Sequence, residues 1–167
     1  MLPGVIIKPL KRFPDERGFF TEIMRTDWKE VTAKDSFSQA NFSVTYPGII
    51  RAWHRHMRGQ NDYFVAINGA IKIGIYDEKT NDLNEIISTG KDLQIVRVPG
   101  QFWHGFKALG NEQAMLIYFT TRTYDHESPD EERLPWNYPK ILPKRINDKA
   151  NDPRVGKPWD WNQLPNK

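Results

Sequence analysis

Asn68-Gly69 separates two runs rich in apolar residues, 63–67 and 70–76. A two-residue connection of the type I′ kind needs positive φ at both central positions, which Asn and Gly tolerate best, so the pair predicts a tight hairpin and rules out a helix through this part of the chain. Further extended runs follow at short intervals, at 5–7, 19–24, 39–45, 49–56, 84–88, 94–98 and 114–120, with Pro47-Gly48 and Pro99-Gly100 as breaks. One short helix is expected over 27–34, capped by Thr26 or Asp27. Many short strands with a single helix predict an all-β sandwich or barrel, and the jelly roll is the economical arrangement.

After Tyr124 the character of the chain changes. Ser128-Pro129-Asp130-Glu131-Glu132 is followed by Pro135, Pro139, Pro143, Pro153, Pro158 and Pro165, each of which interrupts regular structure. Trp136, Tyr138, Trp159 and Trp161 make this stretch too apolar for a free linker. The expected organisation is a domain over 1–127 and an irregular, aromatic- and proline-rich extension over 128–167 that packs on the same domain or on a dimer partner. His126 and the charged run 130–133 read as solvated. With 24 Lys and Arg against 21 Asp and Glu there is no basic stripe, which argues against a nucleic-acid partner. No apolar run is long enough for a leader or a membrane span, and the absence of cysteine excludes disulfide and thiolate chemistry. A cytoplasmic protein with no membrane partner is therefore expected.

The stretch 48–60, Gly-Ile-Ile-Arg-Ala-Trp-His-Arg-His-Met-Arg-Gly-Gln, holds two of the four histidines. In an extended segment His54 and His56 share a face. Either they hold a metal, together with His104 and with Gln60 as a weak fourth ligand, or one of them is a neutral base for a carbon acid. Arg51 lies three residues before His54, on the opposite face of a regular strand. Both meet one ligand only if a bulge or turn intervenes.

Six ordered motifs favour the second alternative. Asp15-Glu16-Arg17-Gly18-Phe19-Phe20-Thr21-Glu22, Gln39-Ala40-Asn41-Phe42-Ser43, Gly48-Ile49-Ile50-Arg51-Ala52-Trp53-His54, His104-Gly105-Phe106, the pair Tyr118 and Tyr124, and Trp136-Asn137 follow one another along the chain. Together they resemble the dTDP-4-dehydrorhamnose 3,5-epimerase family. The resemblance implies a cupin-like jelly roll, a homodimer, and proton chemistry on a dTDP-linked 4-keto-6-deoxysugar with no cofactor and no metal. It implies His54 as the base that removes a proton from C3 or C5, and Tyr118 as the acid that returns one to the opposite face. Arg17, Phe20 and Glu22 match residues that reach the nucleotide from the neighbouring subunit. Gln39, Asn41, Arg51 and Tyr124 match residues lining nucleotide and sugar, and Arg51 or His104 is the candidate donor to the enolate oxygen.

Two departures from the family pattern stand out. Gln60-Asn61-Asp62-Tyr63-Phe64 carries a carboxylate where the family has lysine. The run that supplies an aspartate to the base is missing, leaving Asp77, Asp148, Asp152 or Asp160 as substitutes. The readings that compete with an epimerase are a metal-dependent cupin enzyme using His54, His56 and His104, and a non-catalytic nucleotide-sugar binder.

Overall fold

A computed structural model describes residues 1–164; Pro165 lies outside the described residues. Within them the chain forms β1 (Ile6–Pro9), β2 (Arg12–Asp15), β3 (Gly18–Thr21), α1 (Lys29–Thr32), β4 (Gln39–Thr45), β5 (Ile50–Arg55), β6 (Asn61–Asn68), β7 (Ala70–Asp77), β8 (Asp82–Thr89), β9 (Gln94–Pro99), β10 (Trp103–Leu109), β11 (Ala114–Thr120), β12 (Glu132–Arg133) and β13 (Arg145–Ile146). The all-β architecture matches expectation. Two sheets carry it, one ordered β1-β9-β6-β11-β4 and the other β12-β5-β10-β7-β8-β13, with β2-β3 as a separate hairpin. No helix among the described residues is long and apolar enough to cross a membrane.

The turn at Asn68-Gly69 exists, but it is not a hairpin. β6 is flanked by β9 and β11, and β7 by β8 and β10, so the chain steps from one sheet to the facing one. Gly69 takes φ 65°, whereas Asn68 is not in the positive-φ region that a type I′ turn requires. Alternation explains the crossing: Phe64, Ala66, Val96, Val98 and Leu116 of one sheet pack against Ile71, Ile73, Ile75 and Phe106 of the other.

Strand β10 lies outside the nine runs predicted. Its residues are buried on both faces, with Gly105 at the centre, so it lacks the alternation that marks a half-buried strand. Gly105 lets the backbones of β10 and β5 approach: a Cβ there would stand 2.4 Å from Ala52 Cβ and 2.5 Å from the Arg51 carbonyl oxygen. Backbone cannot yield as a side chain does. Gly105→Ala is expected to cost about 1–3 kcal/mol, read as a lower denaturant midpoint at unchanged m-value.

The helix is shorter than expected and is not capped by Thr26 or Asp27. Its N-cap is Trp28, with no side-chain hydrogen bond, because the Asp27 carboxylate is taken by Arg25 at 2.8 and 2.7 Å.

The extension after Tyr124 covers the outer face of the six-stranded sheet. Ile141, Ile146, Trp159 and Trp161 pack with Trp53, Tyr76, Leu83 and Trp103 in a second core. Lys72, the polar member of the β7 alternation, points into this layer. There its ammonium lies 3.2 Å from the Glu85 carboxylate and donates to the carbonyls of Trp161 and Gln163. Arg154 pairs with Glu85 and Asp152, each at 2.9 Å, so the buried charges in this layer are matched.

Candidate active site

Between the sheets a cavity of about 680 Å³ opens near the ends of β5, β6 and β11. An irregularity in β5 builds one wall. Opposite β10 the register runs from His104↔His54 to Phe106↔Arg51, so β5 uses three steps where β10 uses two. The extra residue is the bulge required for Arg51 and His54 to reach one ligand, and both line the cavity. Arg51 is held by a hydrogen bond from its Nε to Thr45 Oγ1 at 3.0 Å.

The facing wall comes from the other sheet. Tyr118 on β11 lies opposite Asn41 on β4 and Phe64 on β6 in register, and its ring stands 5.9 Å from Phe64. Gln39 donates to Asn41 Oδ1 at 2.7 Å and accepts from the Tyr124 backbone N–H at 2.8 Å, which fixes three of the expected lining residues relative to one another. His54, Tyr118, Gln39, Asn41, Arg51 and Tyr124 therefore surround one space.

Other expected residues fall elsewhere. His104 is fully buried behind His54, with ring centroids 4.2 Å apart, and is not on the cavity wall. It is unavailable as a direct donor to a ligand oxygen because its Nδ1–H is spent on the Phe102 carbonyl and its Nε2 faces Asp62. Arg17, Phe20 and Glu22 do not reach the cavity within one chain: Arg17 pairs with Asp15, Glu22 with Arg25, and Phe20 is 65% exposed on the β2-β3 hairpin.

None of the four substitute aspartates approaches His54. Asp148 pairs with the N-terminus and Asp152 with Arg154, Asp160 accepts from the Asn162 N–H, and Asp77 accepts within the turn after β7. The carboxylate that does act on the histidines is Asp62. Its side chain is buried on the cavity wall with Oδ2 3.3 Å from His104 Nε2 and 3.5 Å from His56 Nε2. Read along the chain, Asp62 is only a changed charge. Its role appears when β6 is placed opposite β10 across the core.

Residues 130–133 are also more than a solvated run. Asp130 accepts from the backbone N–H groups of Met57 and Arg58, and its carbonyl accepts from His56 Nδ1. Pairing of β12 with β5 then brings Glu131 and Arg133 to the cavity rim. The sequence signal for this was absent, because a charged tetrapeptide does not name the strand it will join.

Electrostatics separates the titratable groups. Burial, reinforced by the neighbouring His104, pushes His54 well below 6.5, so its ring is neutral. Burial also raises the Tyr118 phenol above 10, with the Asp62 charge adding to the effect. Burial opposes ionisation of Asp62, and Nε2–H donation from His104 and His56 lowers its pKa where those rings carry a proton at that nitrogen.

Residues 13–132 match the sequence profile of the polysaccharide biosynthesis C-terminal domain family. The chain is 42% identical to a probable low-salt glycan biosynthesis epimerase, Agl13, of Haloferax volcanii, over 80% of this chain and 87% of that protein. It is 30% identical to a dTDP-4-dehydrorhamnose 3,5-epimerase of Pseudomonas aeruginosa, over 84% of this chain and 80% of the relative. Its fold superposes with a TM-score of 0.73 on a dTDP-6-deoxy-D-glucose-3,5-epimerase from Legionella pneumophila, solved with dTDP-4-keto-L-rhamnose, at 23% identity over 95% of this chain and 79% of that one.

Proposed function

As the chain belongs to the dTDP-4-dehydrorhamnose 3,5-epimerase family and carries the polysaccharide biosynthesis C-terminal domain, we propose that it epimerises a nucleotide-diphosphate 4-keto-6-deoxysugar at C3, C5 or both. The observation that carries this reading is the placement of His54 and Tyr118 on opposite sheets across one cavity. A sugar ring between them offers one face to a neutral imidazole and the other to a protonated phenol. That is what inversion at carbon requires: removal of a proton on one side and its return on the other.

A C–H beside a ketone is a weak acid, so the enolate oxygen also needs a donor. Arg51, on the His54 side of the cavity, takes this role in place of His104, and one such donor is worth about 3 kcal/mol in a water-poor site. Gln39, Asn41 and Tyr124 present amide groups and an aromatic face to the nucleotide and sugar. The exposed β2-β3 hairpin, with Phe19 and Phe20 outward, suits insertion into a second subunit, and we assign Arg17, Phe20 and Glu22 to the partner's cavity in a cytoplasmic homodimer. A dTDP-linked 4-keto-6-deoxyhexose is the substrate of choice.

The test is isotopic. Incubation with dTDP-4-keto-6-deoxyglucose in heavy water is expected to place deuterium at C3 or C5, read by NMR of the sugar. A protein that binds the nucleotide sugar with no deuterium uptake is a binder, and the reading fails.

A further inference from the structure

Three buried side chains beside the cavity form an arrangement that the proton chemistry above leaves unused. His104 donates from Nδ1 to the Phe102 carbonyl at 2.8 Å, and His56 from Nδ1 to the Asp130 carbonyl. A carbonyl oxygen only accepts, so in both rings Nδ1 carries the proton and the neutral ring offers a lone pair at Nε2. Both Nε2 atoms face the same oxygen, Asp62 Oδ2. Three lone-pair donors converge. They are joined by added protons, on one or both rings or on Asp62, or by a cation; the Gln60 amide reaches only the His56 lone pair, at 3.2 Å.

The spacing distinguishes these alternatives. A charge-assisted N–H···O bond runs about 2.7–2.9 Å, and the two separations here are 3.3 and 3.5 Å. Around a tetrahedral ion with bonds of about 2.0–2.1 Å, neighbouring ligand atoms stand roughly 3.3–3.4 Å apart. The surroundings fit as well. Both rings are oriented by carbonyls, and the second oxygen of Asp62 accepts from the Gln60 amide at 2.8 Å, which is the outer-shell pattern that aims metal ligands. The same amide lies 3.2 Å from His56 Nε2 and is the group an ion displaces.

We propose that His56 Nε2, Asp62 Oδ2 and His104 Nε2 bind one divalent transition-metal ion of the zinc or ferrous type, with a coordination position open to the cavity. Two imidazoles and one carboxylate are a donor set that both ions accept. This departs from the sequence expectation of a metal-free site, and it replaces the set His54, His56, His104 with one that includes the carboxylate. His54 also has a ligating atom within 4.8 Å of the others, but unlike His56 and His104 it makes no ion-pair contact with Asp62, and it keeps the role of base. A further step rests on the epimerase reading: the open position lies where a substrate carbonyl oxygen can be polarised.

Metal binding is measured without any sugar, on the full chain freed of any polyhistidine tag. After chelation, Co²⁺ titration is expected to give a visible d–d spectrum that saturates at one equivalent per chain, and Zn²⁺ to displace it. Asp62→Asn and His104→Gln, each with unchanged far-ultraviolet circular dichroism, are expected to weaken Co²⁺ at least about tenfold, whereas His54→Asn keeps one equivalent. NMR of the wild-type Co²⁺ complex covers the case in which the variants do not fold, and is expected to show two shifted imidazole N–H resonances. No saturable spectrum, an Asp62→Asn titration like the wild type, or a resonance count other than two overturns the site. Deuterium uptake without Co²⁺ binding sinks this proposal alone, and Co²⁺ binding without deuterium uptake sinks the epimerase alone.

Discussion

Replacing His54 by Asn is expected to lower kcat/KM on the order of 10³-fold and to abolish deuterium uptake, because general base catalysis at carbon contributes about 10²–10⁴. Tyr118→Phe separates the two halves of the reaction. With the base intact, the proton at the reacting carbon still leaves and returns on the His54 side, so exchange from heavy water continues while inversion falls by about 10²-fold. Equal loss of exchange and inversion in Tyr118→Phe would remove the acid assignment. The pH profile gives an independent check. His54 must be neutral to act, and because burial and His104 depress its pKa, the acid limb of kcat/KM falls only below pH 6.5. Tyr118 must be protonated, and because burial and then Asp62 raise its pKa, the alkaline limb lies above pH 10. An acid limb above 6.5 would mean that His54 is solvated or paired, contrary to the geometry.

How much of this site was legible along the chain depends on the range of the interaction that makes it. The facing of His54 and His56 follows from strand period alone, and the need for a bulge between Arg51 and His54 follows from the same period; β5 supplies that bulge. Other features depend on partners far away in sequence. Asn68-Gly69 announced a turn, but whether the turn pairs its flanking strands or carries the chain to the other sheet is decided by β9, β11, β8 and β10. Strand β10 escaped because burial on both faces removes alternation. Asp62 and the 130–133 run were read by charge as departures or surface, whereas each acquires meaning only against a strand that no local rule selects.

Trp161→Ala is expected to cost about 3–5 kcal/mol, the range for removing a large ring from a well-packed core. At roughly 2–4 °C per kcal/mol for a chain of this size, the melting temperature should fall by roughly 6–20 °C. The ring is fully buried, 4.7 Å from Trp53 by centroids, and its Nε1 donates to the Trp136 carbonyl. It lies over Gly74, where an added Cβ would meet its ring at 2.7 Å and that of Trp53 at 3.0 Å. A double-mutant cycle tests this contact directly: Gly74→Ala should be costly beside Trp161 and much less so in the Trp161→Ala background, giving coupling that independent sites would not show. The same layer reaches the cavity. Trp53 exchanges both backbone hydrogen bonds with Leu134, at 3.0 Å each, next to Arg133 at the rim and one residue before His54. Loosening the extension should therefore weaken nucleotide-sugar binding as well as stability, whereas Gly105→Ala disturbs β5 from the opposite flank and leaves the extension in place.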